Sequence, residues 1–237
     1  MTEFPDEHCK FLGVAGSPAE ALRQEAEIQL LQALGDTPEF PSYRADGYTR
    51  SGVRYVAYRE VAGRALSKYA SSVELLSWRS FTVQLLGLVK RLHGSSFPVF
   101  HGDISPANII VSHSGKVGLI DFGVARSRLL PFTLRFSSRQ STAAPLYLSP
   151  EQAQGNWWGS ASDLYQVGLV VMEFLRRKPL GQGLGVPKLL ARLRESPDYA
   201  RTVAVSELGL PGQFLAGLLD PDPTRRPSAL QALAQLD

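Results

Sequence analysis

The chain has 237 residues, of which 44% are hydrophobic and 20% charged, and its formal net charge is +3. Ordinary apolar content and a small net charge exclude a chain that is mainly disordered, and the absence of a basic stripe argues against a nucleic-acid binder. The longest strongly apolar stretch, Val167 to Leu175, is interrupted by Glu173 and is too short to span a membrane. A single cysteine, Cys9, excludes an internal disulfide, and with no secretory signal in view the sequence reads as a cytoplasmic protein. In chain order, Glu7–Leu12 reads as a strand. Ser17-Pro18 opens a helix that runs to Leu34 and stops at Gly35-Asp36. Two strands follow, Ser42–Tyr48 and Arg54–Val61, joined through Arg50-Ser51-Gly52. Val73, Leu76, Phe81, Leu85, Leu88 and Leu92 recur at helical spacing over 72–92. Asn108–Val111 and Val117–Ile120 flank His113-Ser114-Gly115 as a hairpin. Residues 163–176 form a helix apolar nearly all round, suited to a buried centre, and 227–236 form the last helix. Strands concentrate early and helices late, which predicts an α+β protein with a small strand-rich lobe over 1–62 and a larger helical lobe over 63–237.

Four patterns carry the chemistry: His101-Gly102-Asp103-Ile104-Ser105-Pro106-Ala107-Asn108; Asp121-Phe122-Gly123; Ser149-Pro150-Glu151; and Asp163 with Gly168, completed by Arg225-Arg226-Pro227. In this order and at these spacings they resemble the protein-kinase catalytic domain, in its bacterial serine/threonine branch. The resemblance implies a two-lobed fold and phosphoryl transfer from ATP with Mg²⁺ to a protein hydroxyl. By the same resemblance Asp103 accepts the hydroxyl proton, and Asn108 and Asp121 offer one neutral and one charged oxygen to Mg²⁺. The hairpin between them brings the two to one end, and Phe122 and Gly123 turn the chain away. Lys10, in His8-Cys9-Lys10-Phe11-Leu12, resembles the lysine that holds the α- and β-phosphates and pairs with a helix glutamate. Glu25 and Glu27 compete for that pairing. Leu30, Leu31 and Leu34 follow Glu27 at +3, +4 and +7, whereas Ile28, Gln29 and Gln32 follow Glu25, so Glu27 sits on the packed edge and is chosen. The resemblance further implies Tyr58 as gatekeeper, backbone groups of Arg59 to Val61 against adenine, and Ile110 covering it from below. Glu151 and Arg226 resemble a buried ion pair that pins the end of the activation segment. Asp163 resembles the carboxylate that braces the His101–Asp103 loop.

Several positions depart from the family pattern. The nine residues before Lys10 include no glycine, so the glycine-rich phosphate-covering loop is expected to be missing from this sequence, either through a misassigned start or because the protein lacks it. Ser105 stands where most serine/threonine kinases carry a lysine, and Ala144 where they carry a threonine. Gly102 replaces the arginine that receives an activation-loop phosphate, which argues against that switch. The segment from Phe122 to Pro150 holds Arg126, Arg128, Arg135 and Arg139 and no acidic residue, read either as a solvated basic loop or as a dock for an acidic partner. Three functions follow from these features. The first is a serine/threonine protein kinase acting on a protein substrate. The second is a pseudokinase that works as a binding or scaffold module. The third is a small-molecule phosphotransferase, whose loop His101-Gly102-Asp103 resembles. Trp157-Trp158 could present a partner patch or pack on the helical lobe, and the sequence fixes no oligomeric state.

Overall fold

The structure, a computed structural model, describes residues 7–68, 76–127, 145–156 and 159–236. Ala144, Arg128, Arg135, Arg139, Val73 and the Trp157-Trp158 pair lie outside the described residues.

The strand-rich part begins with β1 (Glu7–Gly13). Helix α1 (Pro18–Leu34) starts where Pro18 occupies its first turn and the Ser17 side chain accepts from the Glu20 N–H, and it ends at Gly35, φ 71°. Strands β2 (Ser42–Tyr48) and β3 (Arg54–Arg59) complete an antiparallel sheet in the order β1-β3-β2. The third strand stops at Arg59, two residues short of the expected end, and the following residues turn into the connection. α1 covers the sheet with Ala26, Glu27, Ile28, Leu30 and Leu31.

Beyond the connection, β4 (Arg64–Ala65) joins β6 (Ile109–Val111) and β7 (Val117–Leu119) in a second antiparallel sheet. Helix α2 (Trp78–His93) lies between them in sequence; Ser77 caps it, so among the described residues it starts six positions later than the apolar spacing suggested. β5 (Val99–Phe100) pairs with β8 (Arg126–Ser127), a ladder of two-residue strands that local patterning does not signal. The rest is helical: α3 (Pro150–Ala153), α4 (Ser160–Arg176), α5 (Val186–Glu195), α6 (Tyr199–Leu218, interrupted at Gly209) and α7 (Ala229–Ala234). α4 begins three residues earlier than expected. α7 is shorter than the predicted 227–236 because Ser228 and Gln231 form a reciprocal capping box that sets its start.

α4 is the centre of the helical part. Leu164, Tyr165, Val167, Leu169, Val170, Val171 and Met172 are buried along its length, and Gly168 lets Leu218 and Leu219 close in: a Cβ there would meet Leu219 at 2.8 Å. The segment between α1 and β2 ties the two parts together. Glu39 O accepts from Leu119 N (2.9 Å), Glu39 pairs with Arg91 (3.0 Å), and Arg91 lies over the Phe40 ring (5.1 Å). Val61 packs on the β6–β7 hairpin at Gly118, where a Cβ would come within 2.4 Å of Val61 Cγ1. Among the described residues no helix is long and apolar enough to cross a membrane.

Candidate active site

Lys10 sits in the middle of β1, opposite Val56 of β3, and its side chain reaches across to two carboxylates. Nζ lies 2.7 Å from Glu27 Oε1 and 3.0 Å from Asp121 Oδ1. Burial works against the ammonium, but the charges and hydrogen bonds of Glu27 and Asp121 outweigh it and raise the Lys10 pKa. Asp121 responds in the opposite sense. Burial would raise its pKa; Lys10, together with the Gly123 N–H, brings it below the usual carboxylate value. Glu27, not Glu25, is the glutamate that meets Lys10. Glu25 turns the other way and pairs with Arg54 (2.9 Å), which also holds Asp46 (2.8 Å).

Asp121 has φ 64°, a left-handed conformation rare for a residue with a side chain, and such local strain concentrates at functional sites. Gly123 follows closely enough that a Cβ there would lie 3.2 Å from Asp121 Oδ1 and 3.5 Å from both Glu27 Oε2 and Lys10 Nζ. Phe122 points inward, buried between His101 (ring centroids 4.9 Å) and Phe40 (6.0 Å, edge-on).

The hairpin register places Asn108 beside Asp121. Ile109 faces Leu119, and Ile120 N donates to Asn108 O (2.9 Å), so Asn108 and Asp121 emerge at the same end. Asn108 Nδ2 donates to Asp103 O (2.9 Å) and to Asp103 Oδ2 (3.0 Å). Those two bonds use the amide's donors and leave Oδ1 as its acceptor. An amide oxygen and a carboxylate of lowered pKa form a hard-oxygen donor set, so these residues fit Mg²⁺ shared with phosphate oxygens.

The loop carrying Asp103 is braced from below. Asp163, fully buried on α4, accepts from His101 N (2.9 Å), Gly102 N (2.7 Å) and His93 Nε2 (2.8 Å). Gly102 has φ 75°, a conformation glycine takes at no steric cost, which gives its presence here a backbone reason. Burial pushes the His101 pKa down, so the ring is neutral. Its Nε2 lies 3.1 Å from Ile120 O, an acceptor, and its Nδ1 accepts from Asp103 N (3.3 Å). Only the Nε2–H tautomer satisfies both contacts. Ser105 is buried, and its Oγ meets no partner among the described residues.

Farther out, Arg226 and Glu151 form a two-pronged pair, Nη1–Oε1 2.7 Å and Nη2–Oε2 2.9 Å, with the Arg226 side chain fully buried. Tyr58 stands at the end of β3 with its ring 5.7 Å from His8, and burial raises its pKa. The Arg59 side chain pairs with Asp36 (2.5 Å) and donates to Ser42 (3.1 Å). Ile110, buried, lies under Gly63, where a Cβ would be 2.8 Å from Ile110 Cγ2. The sequence reading passed over three residues of this site. His93 stands in the last turn of α2, and nothing local in the sequence points to its contact with Asp163. Gln152 and Gln166 read as incidental polar residues, although a glutamine inside an apolar helix must find partners when buried.

Fold and site together define a kinase-like phosphotransfer architecture. Residues 24–236 match the pattern of the protein kinase domain, and the chain belongs to that family. Lys10 lies ahead of the matched residues, and its place in the site comes from the geometry above. The chain is 33% identical over 126 residues to the probable serine/threonine-protein kinase PknB of Bifidobacterium longum, covering 53% of this chain and 18% of that protein. It is 29% identical over 154 residues to the serine/threonine-protein kinase PrkC of Bacillus subtilis, covering 63% and 23%. It is 28% identical over 219 residues to mitogen-activated protein kinase kinase kinase 20 of Arabidopsis thaliana, covering 84% and 61%. The chain thus spans less than two thirds of the length of these relatives.

Proposed function

We propose that the chain is a serine/threonine protein kinase domain that transfers the γ-phosphoryl group of ATP, with Mg²⁺, to a protein hydroxyl. The observation that carries the reading is Lys10 held between Glu27 (2.7 Å) and Asp121 (3.0 Å), with Asp103 and Asn108 bonded to each other in the adjoining loop. Lys10 supplies a fixed cation for the α- and β-phosphates, and Glu27 holds it there. Asn108 and Asp121 would hold Mg²⁺, which would supply positive charge against the phosphates when bound. Asp103 accepts the proton of the attacking hydroxyl, and its hydrogen bond from Asn108 orients the carboxylate for that transfer. Tyr58, the backbone of Arg59 to Val61 and Ile110 wall the adenine. The formed Glu151–Arg226 pair supports the protein-substrate platform over a small-molecule phosphotransferase.

A second reading, a nucleotide-binding scaffold, is favoured by Ser105: a buried hydroxyl occupies the place of a cation, and electrostatic stabilisation of transferred charge is weaker without one. Transfer from γ-labelled ATP with Mg²⁺ to a basic acceptor protein, comparing wild type with Asp121→Ala, separates the two. The kinase reading expects label transfer by wild type and none by the variant. Absence of transfer by both, with nucleotide still bound, establishes the scaffold.

A further inference from the structure

Gln166 lies in the middle of α4 with no exposed surface, among apolar neighbours. A primary amide buried there needs partners for its donors and its acceptor, and it has them. Gln166 Oε1 accepts from Ile104 N (2.9 Å), and Nε2 donates to Gly102 O (3.0 Å) and to Gln152 Oε1 (3.2 Å). Gln152, also buried, donates through its own Nε2 to Gly102 O (3.0 Å). Its Oε1 accepts from Ser149 N (3.0 Å) and Ser149 Oγ (3.1 Å). None of these bonds involves the Asp103 side chain. Three of them, the one from Ile104 N and the two to Gly102 O, grip the peptide groups on either side of it.

We infer that Gln166, acting with Gln152, is a positioning residue for Asp103. Asp163 fixes the N–H groups of His101 and Gly102, and the glutamine pair fixes the Gly102 carbonyl and the Ile104 N–H. Gly102, at φ 75° and without a Cβ, gives the loop little stiffness of its own, so its geometry depends on these external bonds. The same pair ties the loop to the Ser149–Ala153 turn, beside the Glu151–Arg226 anchor. Displacement of that turn is therefore felt at Asp103. The bonding is asymmetric: Gly102 O has two donors, while Gln166 Oε1 is the side-chain acceptor that holds the Ile104 N–H.

The consequence for rate rests on the kinase reading above; the consequence for the loop rests on geometry alone. The test uses the full chain with Gln166→Met and Gln152→Met, residue-resolved amide hydrogen exchange, and kcat and KM for ATP. Gln166→Met is expected to speed exchange at Ile104 by about tenfold or more while Leu169, in the same helix, keeps its protection. It is expected to lower kcat roughly ten- to hundred-fold, with KM for ATP within about twofold. Gln152→Met leaves Ile104 protected and lowers kcat less. Unchanged exchange at Ile104, exchange rising equally at Leu169, or an unchanged kcat with Ile104 exposed would each overturn the inference. Gln166→Asn, one methylene shorter, serves the same comparison if the Met variant does not fold. If wild type transfers no phosphate, the kinase reading fails and the exchange measurement still decides whether the glutamines hold the loop.

Discussion

Replacing Arg226 by leucine should be among the costliest single changes in this chain. The guanidinium is fully buried and donates to Glu151 Oε1 and Oε2, to Asp220 O (2.8 Å), to Ala161 O (2.9 Å) and to Pro221 O (3.4 Å), and it lies over the Tyr165 ring at 4.8 Å. Leucine restores apolar volume but leaves the Glu151 carboxylate, 11% exposed, with only the Ser162 hydroxyl (2.5 Å) as a side-chain donor among the described residues. Breaking a buried pair from one side costs about 3–5 kcal/mol. At roughly 2–4 °C per kcal/mol for a chain of this size, the melting temperature should fall by about 6–20 °C. The pH dependence gives a sharper check. In wild type, burial would raise the Glu151 pKa, but the hydrogen bonds and charge of Arg226 bring it below its ordinary value of 4.5. That stabilisation is present above pH 4.5 and is lost as pH falls through the lower folded value. In Arg226→Leu burial, the largest cause, is opposed only by the weaker Ser162 and backbone hydrogen bonds, so the Glu151 pKa rises and protonation relieves the variant instead of harming it. The melting-temperature gap between the two proteins should therefore narrow from pH 7 to pH 4, measured by thermal denaturation in buffers of matched ionic strength. Glu151→Gln should cost less, because Arg226 keeps its three backbone carbonyls. A gap under about 2 °C at pH 7, or one that widens in acid, would refute this account of the pair.

Three further outcomes are expected. Gly118→Ala would place a Cβ 2.4 Å from Val61 Cγ1 and 2.9 Å from the Glu39 carbonyl, so it should destabilise by about 1–3 kcal/mol in a denaturant titration, and a neutral result would show that this contact between the two parts is loose. His101→Gln should remove an acid limb. Burial holds the His101 pKa below its ordinary 6.5, so its contribution is present above that value and is lost as pH falls toward the folded pKa; wild type should lose stability over that window relative to the variant, and parallel pH curves would contradict the neutral ring. Arg54→Met, which cuts the links to Glu25 and Asp46, should cost only about 0.5–1 kcal/mol because the Glu25 end is half exposed, and the cost should shrink in high salt; a salt-independent cost would mean packing, not charge, holds Arg54.

The elements most readable from sequence are those with a local cause. Ser17-Pro18 and Gly35 bracket α1 because caps act within one turn, and the choice of Glu27 over Glu25 followed from the apolar residues three, four and seven positions on. The hairpin that joins Asn108 to Asp121 was visible because its turn and both strands lie within fifteen residues. What stayed hidden depends on partners far along the chain. β5 and β8 are two residues each, so no periodicity marks them, and their pairing spans Val99 to Ser127. α4 was read as apolar nearly all round, and that reading concealed Gln166, whose three partners lie on two other segments. The Gly102 substitution looked like a lost arginine, and only its φ of 75° shows what the glycine does for the backbone.

The charge balance of the site leads to one more expectation. Around the place where the phosphates would sit, the described residues bring one ammonium, Lys10, against three carboxyl groups, Glu27, Asp121 and Asp103. Lys10 is already shared between two of them, so it has little positive potential to offer a free polyanion. On the proposed reading, such a site should repel ATP alone and accept it with a divalent cation that would meet the Asp121 and Asn108 oxygens. Calorimetric titration of the full chain with ATP should show binding at least about tenfold tighter with Mg²⁺ than with excess chelator, a difference of about 1.4 kcal/mol. Asp121→Asn removes one of the three carboxylates and frees part of the Lys10 charge. In that variant binding without the cation should strengthen while the gain from Mg²⁺ shrinks. Equal affinities in wild type with and without Mg²⁺ would mean that the carboxylates do not set the nucleotide's charge requirement. A variant that loses binding under both conditions would mean that Asp121 acts by holding Lys10 in place rather than through its charge.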